Sequence, residues 1–216
     1  MKTLMAVLML LLLPALALAA EQGALEKVDI DVADKPALQD GARTFVNYCM
    51  GCHSARFQRY ERVADDLGIP HDLMLEKLVF TGAKIGDHMS IGMQSADAKA
   101  WFGAAPPDLT LVARVRGIDW LYGYLRGFYA DPSRPWGVNN TVFPNVGMPD
   151  VLAGVRQSLA PEQFDEKIKN LVTFLAYSAN PVKLQSQRIG TYVLLYLAVF
   201  FIFAYLLKRE YWKDVH

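Results

Sequence analysis

The sequence has no excess of basic charge, few metal-binding side chains and little sign of β-structure. It contains 22 basic and 22 acidic residues, so the net charge is zero and no nucleic-acid partner is expected. Two cysteines and four histidines occur in 216 residues, and His71, His88 and His216 are scattered, which disfavours a zinc site. Internal repeats are absent and the strand signal is weak, so the pattern favours a mainly α fold.

Both cysteines fall in the stretch Cys49-Met50-Gly51-Cys52-His53, which is the C-x-x-C-H attachment pattern of a c-type haem. Each thiol adds to one haem vinyl group, and the two-residue gap lets both sulfurs reach the porphyrin. The histidine that follows then points its imidazole at the iron. The alternative is a thiol–disulfide redox pair, which would use both cysteines but would not need His53.

The N-terminus has the pattern of a secretory signal peptide over residues 1–19. Lys2 supplies a positive charge, Leu4 to Leu13 is an unbroken apolar run, and Ala17-Leu18-Ala19 offers a small-x-small cleavage site. Cleavage would start the mature chain near Ala20, and an uncleaved N-terminal anchor is the alternative. Export fits the attachment pattern, because c-type haem is attached outside the cytoplasm.

A second apolar run lies near the C-terminus, where residues 189–207 carry no charge. As a helix this run spans about 28 Å, close to the ~30 Å thickness of the hydrocarbon core of a membrane. Tyr211 and Trp212 suit a membrane interface, and the basic residues of the tail, 208–216, place it in the cytoplasm. We therefore expect a bacterial inner-membrane protein with a periplasmic domain over residues 20–188, and a buried core helix is the alternative.

Two helices of this domain are expected to cross beside the attachment motif. Gly41, Phe45 and Cys49 lie four residues apart and share one helical face, where the glycine allows close approach. A second helix should run from Pro161 to Asn180 and turn its apolar stripe to this glycine. Short helices are predicted over Leu73 to Phe80, Leu109 to Arg116 and Asp119 to Phe128, and a proline-rich loop over Ala130 to Pro149.

A haem held by His53 needs a ligand on its other face, and Met148 is the first candidate. It sits in Gly147-Met148-Pro149, just before the last helix of the domain. The glycine allows close approach and the proline forbids a helix, so this loop can present a thioether to the iron. A thioether ligand raises the reduction potential. The alternatives are an open site or one of Met89, Met93, His71 and His88.

The two haem propionates carry negative charge and need cationic partners. Arg114 and Arg116 follow the turn Pro106-Pro107 and are the best candidates. The nearby aromatic residues Trp120, Tyr122 and Tyr124 can pack on the haem or donate to it, although ordinary helix packing explains them equally well.

These motifs together resemble the cytochrome c1 family, the haem subunit of the cytochrome bc1 complex. The resemblance covers about Gly41 to Lys213. It is carried by the attachment stretch through Tyr60, Gly103 to Leu109, Arg114-x-Arg116, Gly147-Met148-Pro149 and the single C-terminal anchor. The attachment motif is common to all c-type cytochromes, so the Pro-Pro-Asp-Leu element and the anchor are the most specific parts.

The resemblance implies a class I cytochrome c-like haem domain with insertions, plus one C-terminal transmembrane helix. It implies one covalent haem c. Cys49 and Cys52 would attach it, His53 and Met148 would be the axial ligands, and Pro107 and Arg116 would contact the cofactor. It also implies a non-catalytic electron-transfer subunit of a quinol–cytochrome c reductase. Its partners would be cytochrome b, a Rieske iron–sulfur protein, cytochrome c and membrane lipid. The alternatives are a free-standing anchored electron shuttle to a terminal oxidase and a haem sensor with an open site.

Overall fold

The protein is described from a computed structural model, which covers residues 25–214. The expected signal peptide, residues 1–19, lies outside this range. The α-helices, numbered in chain order, are α1 (Lys35–Thr44), α2 (Tyr60–Leu67), α3 (His71–Leu78), α4 (Ser95–Phe102), α5 (Val112–Arg116), α6 (Ile118–Arg126), α7 (Ala153–Ser158), α8 (Pro161–Ala179) and α9 (Lys183–Tyr211). The strands are β1 (Ala55–Arg59), β2 (His88–Met89), β3 (Phe128–Ala130) and β4 (Val138–Asn140). The prediction of a mainly α fold is confirmed.

Helix α8 forms the centre of the domain and is contacted by α1, α5, α6 and α7. Its apolar stripe is buried as the spacing predicted, with Ile168, Leu171 and Val172 fully enclosed. The crossing with α1 occurs at Gly41, where a Cβ atom would lie 2.1 Å from the carbonyl oxygen of Asn170. The expected pairing of these two helices is therefore confirmed, and the glycine is required for it.

Helix α1 begins at Lys35, before Gly41, which is the first residue of the helical face predicted from the sequence. Asp34 caps the helix, because its carboxylate accepts a hydrogen bond from the Ala37 amide at 3.1 Å. Pro36 stands in the first turn, where its missing N–H costs nothing. Below the crossing, the helix continues as a π-helix over Phe45–Cys49, and the Phe45 ring packs 5.5 Å from that of Phe174.

Two small antiparallel sheets were not predicted from the sequence. Strand β1 pairs with β2, and β3 pairs with β4. The second pair corrects two expectations: the helix predicted to end at Phe128 stops at Arg126, and the loop from Ala130 to Pro149 contains a strand. Gly127 follows the helix, and the chain then turns into β3. Each strand has only two to five residues, too short a run for alternation to be visible.

The apolar run near the C-terminus forms part of α9, a helix of 29 residues. Its most apolar window has a mean hydropathy of 2.2, and none of that window is buried against the rest of the protein. The helix extends beyond the predicted span of residues 189–207 at both ends. It is long and apolar enough to cross a membrane, and an exposed surface of this kind needs an apolar surrounding.

Asp40 connects the two crossing helices through charged hydrogen bonds. Its carboxylate accepts from Lys167 at 3.0 Å, from Asn170 at 3.1 Å and from Arg43 at 2.6 Å. Partial burial opposes ionisation, but the bonds from Arg43, Lys167 and Asn170 hold the pKa of Asp40 below its usual value.

We expect Asp40→Asn to lower the free energy of unfolding by about 1–2 kcal/mol at pH 7. Because the pKa is lower in the folded state, this contribution is present above the unfolded value near ~3.9. It is lost as the pH falls through the folded pKa. Denaturant unfolding of both proteins between pH 7 and pH 3 checks this, and a difference that stays constant over that range would contradict it.

Candidate functional site

The C-x-x-C-H stretch forms a tight turn at the end of the π-helix. The amides of Cys52 and His53 both donate to the Cys49 carbonyl, at 3.1 and 2.9 Å. Cys49 is buried and Cys52 is half-buried. Met50 cannot reach the opposite face of a haem, because it lies within the attachment turn and is buried in the core.

The protonation of Cys49 argues against a thiol–disulfide enzyme. Burial raises the pKa of its thiol to about 12, and the neighbouring Cys52 adds to the shift. A dithiol catalyst needs a thiolate, and therefore a lowered pKa at its attacking cysteine. A buried thiol of this kind suits a structural or attachment role instead.

The orientation of the His53 ring is set by the second motif. Its Nδ1 lies 2.7 Å from the carbonyl oxygen of Pro107. Since a carbonyl only accepts, Nδ1 carries the proton, and Nε2 is left with a free lone pair. Burial lowers the pKa of His53, although the bond to Pro107 opposes this, so the imidazole is held in its neutral form. This is the protonation state and tautomer that a metal ligand requires.

The segment that carries Pro107 is fastened to the attachment motif by Asp108. The carboxylate accepts from the Arg56 amide at 2.9 Å and from the Thr110 hydroxyl at 2.6 Å. Burial opposes ionisation, but these bonds keep the pKa of Asp108 below its usual value. The Leu109 amide adds a backbone bond to the Ser54 carbonyl at 2.9 Å. The two motifs, more than fifty residues apart in sequence, therefore form one unit.

An open cleft of about 230 Å³ lies beside the second cysteine of the motif. Its lining includes Cys52, Ser54, Arg56, Met93, Ala98 and Pro106. Met93 is thus the methionine that lines this cleft. Met89 and His71 are less favourable as ligands, because Met89 is fully buried in β2 and the His71 ring is paired with Asp65 at 2.7 Å.

Met148 belongs to a second cluster, built on helix α6. Its Sδ accepts a hydrogen bond from the Tyr124 hydroxyl at 3.4 Å. The Tyr124 ring stacks on Trp120, with ring centroids 4.8 Å apart and planes 9° from parallel. The guanidinium of Arg116 lies over the Trp120 ring at 4.9 Å. In residues 25–214 Arg116 forms no ion pair with a carboxylate, so its charge is available to an anionic group.

The loop that presents Met148 is ordered by polar side chains that were not predicted from the sequence. Asn139 accepts through its side chain from the Asn145 amide at 2.8 Å, and Arg134 donates to the Asn145 carbonyl at 2.9 Å. Asn145 has a φ of 63°, a left-handed conformation that asparagine tolerates better than most residues. Buried Asn140 ties this loop to α6 by donating to the Tyr124 carbonyl at 2.7 Å.

The structure therefore arranges the predicted site residues in two groups. Cys49, Cys52, His53 and Pro107 form one, and Arg116 and Met148 form the other together with Trp120 and Tyr124. Helix α5 connects them. Two thiols, a neutral imidazole with Nε2 available, a thioether and an unpaired guanidinium are the donors that a covalent haem requires. Among residues 25–214, no group of three or more His, Cys, Asp or Glu side chains is arranged to hold a metal ion.

Comparison with known proteins gives a consistent result. A family model described as the cytochrome C1 family matches residues 26–215. The chain is 45% identical to a cytochrome c1 of Allochromatium vinosum, over 100% of both proteins. It is 42% identical to a Nitrosomonas europaea protein named ammonia monooxygenase gamma subunit, over 89% of each. It is also 24% identical to a cytochrome b/c1 of Bradyrhizobium diazoefficiens, over 85% of this chain and 34% of that protein.

Proposed function

The chain belongs to the cytochrome c1 family, the haem subunit of the cytochrome bc1 complex, and we propose that it passes single electrons from a Rieske iron–sulfur protein to a cytochrome c. The resemblance inferred from the motifs is confirmed, and the chain carries one covalently attached haem c. The observation that carries the proposal is the bond from His53 Nδ1 to the Pro107 carbonyl, because it leaves Nε2 free for iron.

Each site residue has a distinct part in this proposal. Cys49 and Cys52 would hold the porphyrin through thioether bonds, and His53 would bind the iron as the proximal ligand. Met148 would supply the opposite ligand through its Sδ. Arg116 would pair with a haem propionate, because its guanidinium has no carboxylate partner among the residues described. The bound group supplies a one-electron Fe³⁺/Fe²⁺ couple.

If His53 and Met148 both held the iron, no coordination site would be left there for a substrate. The work of the chain is then to fix two ligands in one geometry, to keep the His53 imidazole neutral and to compensate the propionate charge. A fixed ligand geometry suits electron transfer, since little has to move when the charge changes. We propose that quinol oxidation takes place in the partner subunits, and that cytochrome b is among them.

The proposed position in the cell follows from the two ends of the chain. Residues 1–19 would direct export, and residues 20–188 would form the haem domain on the periplasmic side. Residues 189–207, within α9, would span the membrane. The tail, 208–216, carries Lys208, Arg209 and Lys213, which favour the cytoplasmic side.

Purification of the detergent-solubilised native protein tests the proposal against its rivals. We expect it to copurify with a b-type cytochrome and an iron–sulfur protein, with one haem per chain in a pyridine haemochrome spectrum. Purification without those partners would favour a free-standing shuttle to a terminal oxidase. Carbon monoxide binding to the reduced native protein at full occupancy would indicate an open distal site and remove Met148 as a ligand.

A further inference from the structure

The hydrogen bond from Tyr124 to Met148 is a contact that the roles assigned above leave unexplained. The hydroxyl donates to Sδ at 3.4 Å, a normal distance for a bond to sulfur. The donor lies on α6 and the acceptor lies in the loop before α7, so the contact joins two separate elements.

The Tyr124 ring is held in place on two sides. Trp120 stacks flat on it, and Phe128 meets it edge-on with centroids 5.3 Å apart. The backbone is held too, because its carbonyl accepts the Asn140 side-chain amide at 2.7 Å. The hydroxyl oxygen of Tyr124 is therefore held in place beside the Met148 sulfur.

The acceptor loop is held by the same residue that fixes the donor. The side-chain oxygen of Asn140 accepts from the amides of Val142 at 2.9 Å and Phe143 at 3.1 Å. One buried side chain thus connects the helix of the donor to the loop of the acceptor. Because the Tyr124 hydroxyl and the Met148 loop are each held in place by other contacts, the hydrogen bond between them costs little conformational entropy. For the same reason, we expect it to persist when the haem is oxidised or reduced.

We propose that Tyr124 is a positioning residue that raises the reduction potential of the haem by donating a hydrogen bond to the Met148 sulfur. This rests on the proposed function, in which Met148 binds the iron. A thioether sulfur has two lone pairs, so it can bind iron with one and accept the hydroxyl with the other. The hydrogen bond draws electron density from the sulfur, which then donates less to the iron. The ferric state depends more on that donation, so it is disfavoured relative to the ferrous state.

Tyr124→Phe tests the inference, because it removes the hydroxyl and keeps the ring that packs on Trp120 and Phe128. We expect the equilibrium constant for reduction to fall about three- to tenfold. At about 59 mV per tenfold for one electron, this is a drop of about 30–60 mV in midpoint potential. The matched control is Tyr122→Phe on the same helix, whose hydroxyl makes no hydrogen bond within the described residues and whose ring lies under Arg126. It should leave the equilibrium constant for reduction within about twofold of that of the parent protein.

Redox titration of the purified holoprotein gives the first readout, and the red absorption band of thioether-ligated ferric haem gives the second. A Tyr124→Phe potential equal to that of Tyr122→Phe, with the band present in both, would overturn the inference and leave Met148 as the ligand. Absence of the band in the parent protein would instead contradict the proposed function, and the inference with it. A lowered potential with the band retained but shifted supports the inference.

Discussion

We expect Met148→Leu to lower the midpoint potential by on the order of 100 mV or more, with the covalent haem content unchanged. Leucine has nearly the volume of methionine, so the packing around Tyr124 is kept while the sulfur is lost. The cysteine thioethers do not depend on this residue, so a haem stain of the denatured protein should be undiminished. Redox titration measures the potential, and carbon monoxide binding to the reduced variant reports the vacated coordination site.

The matched control is Met93→Leu, because Met93 lies on the cleft beside Cys52 and is the rival ligand. We expect this variant to keep the parent potential and to remain inert to carbon monoxide. The opposite pattern, a large fall in midpoint potential for Met93→Leu and none for Met148→Leu, would show that Met93 and not Met148 is the axial ligand. The Tyr124 inference would then also lose its basis.

We expect Gly41→Ala to lower the free energy of unfolding by about 2–3 kcal/mol, in spite of the higher helix propensity of alanine. The new Cβ would lie 2.1 Å from the Asn170 carbonyl oxygen and 2.7 Å from the Phe174 Cβ. Both are parts of α8 that cannot rotate away, since one is backbone and the other is fixed to it. The two helices would have to separate, and the ring contact between Phe45 and Phe174 would be weakened.

Gly154→Ala in α7 serves as the control for this prediction. No atom lies within 4 Å of the Cβ that it would add, so it should be neutral or stabilising by about 0.5–1 kcal/mol. Denaturant unfolding of the detergent-solubilised holoproteins, followed by circular dichroism, compares the two. Equal midpoints for Gly41→Ala and Gly154→Ala would show that α1 and α8 do not cross as closely as the structure has them.

The features that were predictable from the sequence depend on short-range patterns. The two-residue spacing of Cys49 and Cys52 is a local property, and so is the four-residue spacing of Gly41 and Phe45. The apolar period of α8 is repeated often enough to be recognised. The elements that were not predicted are short. Strand β2 has two residues, and α2 has eight and begins without a side-chain cap, although its buried residues Tyr60, Val63, Ala64 and Leu67 do follow helical spacing.

The sequence by itself determined the chemistry of the site, because a covalent haem motif, a candidate thioether and an apolar C-terminal run are each written in a few adjacent residues. Only the tertiary structure decided which hydrogen-bond partners those residues have. The proton on His53 Nδ1 is held by the Pro107 carbonyl, 54 residues away in the sequence. The Met148 sulfur accepts a hydrogen bond from the Tyr124 hydroxyl, 24 residues away. No local pattern encodes such contacts, because they exist only after α6, α8 and the loop of Asn140 have packed. The physical reason is that hydrogen bonds act over about 3 Å in space, whereas spacing rules act only along the chain.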